Sequence, residues 1–126
     1  MSKRNLTLLT DLYELTMMQG YYEKGQNENV IFDVFFRQSP CNNGYSVCAG
    51  LEQVIDYINN LHFEDDDIAY LRSLGIFGED FLEYLRNFHF SGDIYAIPEG
   101  SIMFPREPMI TVSYTHLRAH ETPEHL

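Results

Sequence analysis

Residues 113–126 read SYTHLRAHETPEHL and hold His116, His120 and His125, three of the chain's five histidines. His116 and His120 are four apart, a spacing that puts two imidazoles on one helical face and could hold Zn²⁺. The helical zinc motif, however, needs HExxH, with a glutamate between the histidines as general base; here Glu121 follows the second one. No metal site is expected. The acidic run Asp65–Asp67 offers three carboxylates, but adjacent residues on one helical turn diverge in direction, so the run reads as a charged helix start facing water. Cys41 and Cys48 form neither a CxxC pair nor half of a zinc site, and Cys48 reads as a small buried apolar residue in a reduced chain. His62 and His89 could each pair on paper with a cysteine nucleophile. Both sit at helix ends beside aromatics, where packing and the helix dipole suit histidine without catalysis. GxxxxGK[ST], GxGxxG and GxSxG are absent from the sequence.

The elements that must position these groups follow from periodicity. A first helix is expected from about Asp11 to Glu23, with Asp11 and Glu14 as an N-terminal capping box. Leu12, Leu15, Met18 and Tyr22 form its stripe, and Tyr13, Met17 and Tyr21 lie beside it. So wide an apolar arc calls for cover on two sides, from a second sheet or a partner subunit. Residues 30–37, VIFDVFFR, alternate as a strand, and SPCNNG (39–44) reads as a loop. A helix carrying Leu51, Val54, Ile55, Ile58 and Leu61 follows. Ile68, Leu71 and Leu74 mark another, stopped by Gly75; a third, Glu79 to Phe88, buries Phe81, Leu82, Leu85 and Phe88. Residues 94–112 read as a β meander of three strands, broken by PEG and PREP turns. Early helices, one long strand and a late meander make an α+β domain.

The chain has 126 residues, with 8 Lys+Arg against 19 Asp+Glu and a net charge of −11. That charge repels nucleic-acid backbones and anionic lipid, so neither is an expected partner. With no apolar run long enough for a membrane span and no signal-peptide pattern, a cytoplasmic location is expected. After MITV the hydrophobic pattern collapses. The segment 113–126 resembles a translated sequencing-adaptor end, and is expected to be a non-native tail on a domain of residues 1–112.

Three stretches carry a more specific resemblance: NLTLLTDLYELTMMQGYY, FDVFFRQSPCNNGYSVCAGLEQVIDYI and YAIPEGSIMFPREPMITV. In this order and at this spacing they resemble nicotinate phosphoribosyltransferase over residues 5 to 112. T-D-L-Y-x-x-T-M and P-E-G-S-x-x-F-P are the distinctive anchors. Leu12 and the run Glu14-Leu15-Thr16-Met17 favour the nicotinate enzyme over its nicotinamide-specific relative.

The resemblance implies the N-terminal helix-and-antiparallel-sheet domain of a type II phosphoribosyltransferase, with the C-terminal irregular α/β barrel missing. The complete enzyme joins nicotinate to phosphoribosyl pyrophosphate, forming nicotinic acid mononucleotide for NAD synthesis, with ATP hydrolysis and Mg²⁺. It is usually a homodimer with shared sites. Tyr13 matches the tyrosine that stacks on the pyridine ring, and Asp11 the acid beside it, whose simpler role is a helix cap. Arg37 matches a family position without a definite role. The phosphohistidine and the phosphoribosyl grip lie in the barrel, so no catalytic residue, metal or cofactor site is expected in this piece.

Charge agrees. A polyanionic sugar diphosphate needs clustered cations, and Lys24, Arg37, Arg72, Arg86 and Arg106 are spread singly along the sequence. The piece is therefore expected to be inactive alone. The alternative is a non-enzymatic acidic binding or dimerisation module that uses the Tyr/Met-rich helix as its contact.

Overall fold

A computed structural model describes residues 4–25 and 28–115, which divide into two compact units. The first comprises the N-terminal segment together with residues 60–90; the second comprises residues 28–59 and 91–115.

The first unit is helical. Helix α1 spans Leu12–Lys24, α3 Asp65–Ser73 and α4 Glu79–Arg86, while α2 (Leu51–Asn59) belongs to the second unit. In α4, Phe81, Leu82, Tyr84 and Leu85 are buried, the i, i+1, i+3, i+4 set of one helical face. They join Leu15, Phe63, Ile68 and Leu71 in a single core. Tyr22 packs against it, its ring tilted and centred 5.8 Å from Phe81 and 5.1 Å from Tyr84. Met18, Leu74 and Phe88 pack against its edge. These are the stripes that the periodicity anticipates. Leu12 is the exception: it is exposed.

The helix ends differ from expectation in one respect. Asp11 stands at the N-cap of α1 in extended backbone, yet its carboxylate makes no capping bond. The Glu14 carboxylate accepts the Thr10 hydroxyl instead of reaching back to Asp11, so the expected box does not form. A box does form at α3, between Glu64 and Asp67, where the Asp67 carboxylate accepts the Glu64 N–H at 2.9 Å. Part of the acidic run therefore turns inward to cap its own helix rather than facing water. Gly75, at φ +69°, stops α3 as expected, because a left-handed residue after a helix end favours glycine.

The second unit carries the strands β1 (Asn29–Val34), β2 (Ser46–Val47), β3 (Gly92–Ala96), β4 (Ile102–Met103) and β5 (Ile110–Thr115), with α2 over Leu51–Asn59. Its larger sheet has the order β1-β5-β3, antiparallel throughout, pairing Phe32 with Val112 and Ile94 with Val112. The expected meander is corrected: β4 leaves it to pair with β2, so β5 runs directly beside β3.

Strand β1 is also shorter than residues 30–37. Its ladder ends at Val34, opposite Ile110; beyond that pair the facing segment is the PREP turn, in which Arg106 adopts φ +67°. At the other end β5 continues through Ser113, Tyr114 and Thr115, paired on both sides where β3 reaches. The boundary expected after Val112 thus falls inside a strand. Residues 116–126, with the three C-terminal histidines, lie outside the described residues.

Helix α2 starts under a cap that the sequence did not suggest. The Glu99 carboxylate, from the PEG turn, accepts the N–H of Gly50 at 2.9 Å and of Glu52 at 3.4 Å. Leu51, Val54 and Ile58 are half-buried, Ile55 is exposed, and Leu61 falls beyond the helix. Cys48 is buried and Cys41 exposed, both as free thiols.

Candidate functional site

Tyr13 lies in the first turn of α1, and its position on the helix decides its surroundings. Two steps along an α-helix point to nearly opposite sides, so burying Leu15 turns Tyr13 outward. Its side chain is 59% exposed, and Met17, four residues on and on the same face, is exposed too. Tyr13 thus presents a free aromatic face. Asp11, also exposed, precedes it by two residues. The Tyr13 carbonyl accepts the Thr16 hydroxyl at 2.9 Å.

Two side-chain amides tie down the helix that carries Tyr13, one in the segment before it and one in its interior. Ahead of it, Asn5 uses both ends of its amide. Its Nδ2 donates to the His62 carbonyl at 3.2 Å and to Asp67 Oδ2 at 3.3 Å, while its Oδ1 accepts the Thr7 N–H at 3.0 Å and the Thr7 hydroxyl at 2.6 Å. Thr7, only 7% exposed, is also within 2.7 Å of the His62 carbonyl through Oγ1. Further along α1, Gln19 donates from Nε2 to the Ile76 carbonyl at 3.1 Å and accepts the Gly78 N–H at 2.8 Å. Nothing in periodicity marks these three residues, because each bonds to backbone more than 50 positions away.

The two histidines among the described residues make local backbone contacts. The His62 carbonyl anchors the N-terminal segment, and its ring Nδ1 lies 2.6 Å from the Asn60 carbonyl. His89 Nδ1 lies 3.5 Å from the Asn87 carbonyl. Neither contacts a cysteine among the described hydrogen bonds.

The cations behave differently in the two units. Arg72 binds Glu79 through two N–H bonds of 2.8 and 3.0 Å, and Arg86 faces Asp65 and Glu83. In the second unit the Arg106 N–H donates to the Phe36 carbonyl at 2.7 Å, which brings the backbones of Arg106 and Arg37 together from 69 positions apart. The sequence shows these two as isolated; the fold makes them neighbours. Among the described residues no group of three His, Cys, Asp or Glu side chains could hold a metal ion. The same unit has an open depression of about 470 Å³ lined by Phe36, Pro40, Asn43, Gly44, Tyr45, Ser46 and Val47, none of them a site residue anticipated from the sequence.

Comparison with known proteins gives these features a family. Residues 8–121 match the family model described as the nicotinate phosphoribosyltransferase N-terminal domain. Nicotinate phosphoribosyltransferase of Bacillus subtilis is 44% identical over 109 residues, which are 86% of this chain and 22% of that protein. Nicotinate phosphoribosyltransferase 1 of Arabidopsis thaliana is 40% identical over 108 residues, covering 83% of this chain and 19% of its own length. The crystal structure of human nicotinic acid phosphoribosyltransferase superposes with a TM-score of 0.73 at 33% identity, over 82% of this chain and 22% of that one. The chain thus spans about a fifth of the length of these relatives, and the four α-helices and antiparallel sheets of the described residues make an α+β arrangement that matches the N-terminal domain of the human structure. On this sequence and fold similarity, the chain belongs to the nicotinate phosphoribosyltransferase N-terminal domain family.

Proposed function

We propose that the chain is the N-terminal part of a cytoplasmic nicotinate phosphoribosyltransferase. The complete enzyme converts nicotinate and phosphoribosyl pyrophosphate to nicotinic acid mononucleotide with ATP hydrolysis and Mg²⁺, as a homodimer with shared sites. This segment contributes Tyr13, whose ring stacks on the pyridine of nicotinate, with Asp11 beside it in a weaker role. Reaction chemistry and the phosphate grip belong to the part of the enzyme that follows.

The observation that carries this reading is the outward face of Tyr13. A tyrosine kept for packing would join Leu15 and Tyr22 in the core; this one sits opposite them and is well exposed. A flat aromatic face suits a flat heteroaromatic ring, and such stacking is worth about 0.5–1.5 kcal/mol beyond area burial.

The test is steady-state kinetics and melting temperature in the full-length enzyme. Tyr13→Ala is expected to weaken nicotinate use by roughly 3- to 30-fold, and Tyr13→Phe much less, with little change in Tm for either. A sharp fall in Tm with normal handling of nicotinate would make Tyr13 a packing residue and end the proposal.

A further inference from the structure

We infer that Asn5 and Gln19 are positioning residues for Tyr13, a role that rests on the ring contact proposed above. The exposed face of α1 gives Tyr13 little packing of its own, and among the described residues Leu15 is the one side chain of that helix that counts as buried. Leu15, Met18 and Tyr22 set which face of α1 turns inward, but apolar packing along one stripe is non-directional and fixes roll and height only loosely. Directional hydrogen bonds remove that freedom.

Asn5 supplies them ahead of the helix and Gln19 from its interior, on either side of Tyr13. Asn5 ties the segment before α1 to the His62 carbonyl and to Asp67, the residue that also caps α3. Gln19 ties α1 to the turn between α3 and α4, with its donor on Ile76 and its acceptor on Gly78, the N-cap residue of α4. Both side chains are primary amides, which offer a donor and an acceptor on one rigid plane. Both use both ends. The helix is thereby fixed in roll and in height against the α3–α4 frame, and Tyr13 lies between the two ties. Holding a binding group within a fraction of an ångström of its productive place is worth rate and affinity even when the holder never touches the ligand.

The experiment is done in the full-length enzyme with Asn5→Ala, Gln19→Met and Gln19→Glu. Gln19→Met keeps the volume and loses both bonds; Gln19→Glu keeps the acceptor for the Gly78 N–H. Asn5→Ala and Gln19→Met are each expected to raise the KM for nicotinate about three- to tenfold, with the KM for phosphoribosyl pyrophosphate unchanged and Gln19→Glu in between. The decisive measurement repeats Asn5→Ala and Gln19→Met in a Tyr13→Ala background. A positioning role predicts no further rise there, since the group being positioned is gone. Equal and additive losses in both backgrounds, or parallel changes in both KM values that track Tm, would overturn the inference. If Gln19→Met does not fold, the smaller Gln19→Glu change decides by the same criterion. Should Tyr13→Ala alone leave nicotinate use untouched, the ring contact itself has failed, a different result from failure of its positioning.

Discussion

Arg72 and Glu79 close the turn between α3 and α4 with two parallel N–H···O bonds of 2.8 and 3.0 Å. The bonds from Arg72 hold the Glu79 carboxyl below its usual range and raise the guanidinium in turn. A carboxylate whose pKa falls on folding adds stability above its unfolded value, and that stability disappears as pH drops through the folded one. Both groups face water, so the effect is small and sensitive to salt. Glu79→Gln is expected to lower Tm slightly at pH 7 in low salt and to make no difference near pH 2. Melting curves at the two pH values check this; an equal deficit at both would show that the ion pair is not the cause.

Core and surface leucines should separate cleanly. Leu82 is fully buried in α4, whereas Leu9 is 80% exposed. Leu82→Ala is expected to cost about 2–5 kcal/mol through lost burial and a residual cavity. Leu9→Ala should stay within about 0.5 kcal/mol. Urea unfolding of the two variants measures both, and similar midpoints would contradict the assigned core.

Glu99 should act on α2 although it lies outside that helix. Its carboxylate satisfies two N–H groups at the helix start, where it also meets the positive end of the dipole. Glu99→Ala is expected to destabilise the second unit by about 0.5–2 kcal/mol, the range of a lost N-terminal cap. Amide exchange at Gly50 and Glu52 reads the change directly: both should exchange faster, with the amides of α3 unaffected. Unchanged protection at Gly50 would remove Glu99 from this role.

The isolated chain should make no nicotinic acid mononucleotide from nicotinate, phosphoribosyl pyrophosphate and ATP. Arg72 and Arg86 are engaged by carboxylates, and of the other described cations Arg4 and Lys24 belong to the first unit and Arg37 and Arg106 to the second. Two arginines fall short of the clustered charge and metal that a sugar diphosphate requires. Product formed by the purified chain would place a working phosphate site inside it.

The local elements were legible in the sequence because each is encoded within a few residues. The stripe Ile68, Leu71, Leu74, the buried set Phe81, Leu82, Leu85 and the glycine stop at Gly75 all read directly, since helical periodicity and left-handed caps depend on near neighbours. The family anchor around Tyr13 was equally visible as a string of residue types.

What the tertiary structure alone decided involves partners far apart in the chain. Strand β4 pairs with β2 rather than with its sequence neighbours, and the regular β1–β5 ladder ends at Val34 opposite Ile110, beyond which only isolated backbone bonds to Met109 and Arg106 continue. Asp11 reads as a capping residue, but Glu14 bonds Thr10 and the box stays open. Asn5, Gln19 and Glu99 look like ordinary polar residues until folding brings their acceptors and donors within hydrogen-bond reach. A hydrogen bond is directional and short, so it exists only once the backbone is placed, whereas an apolar stripe is a property of composition and period.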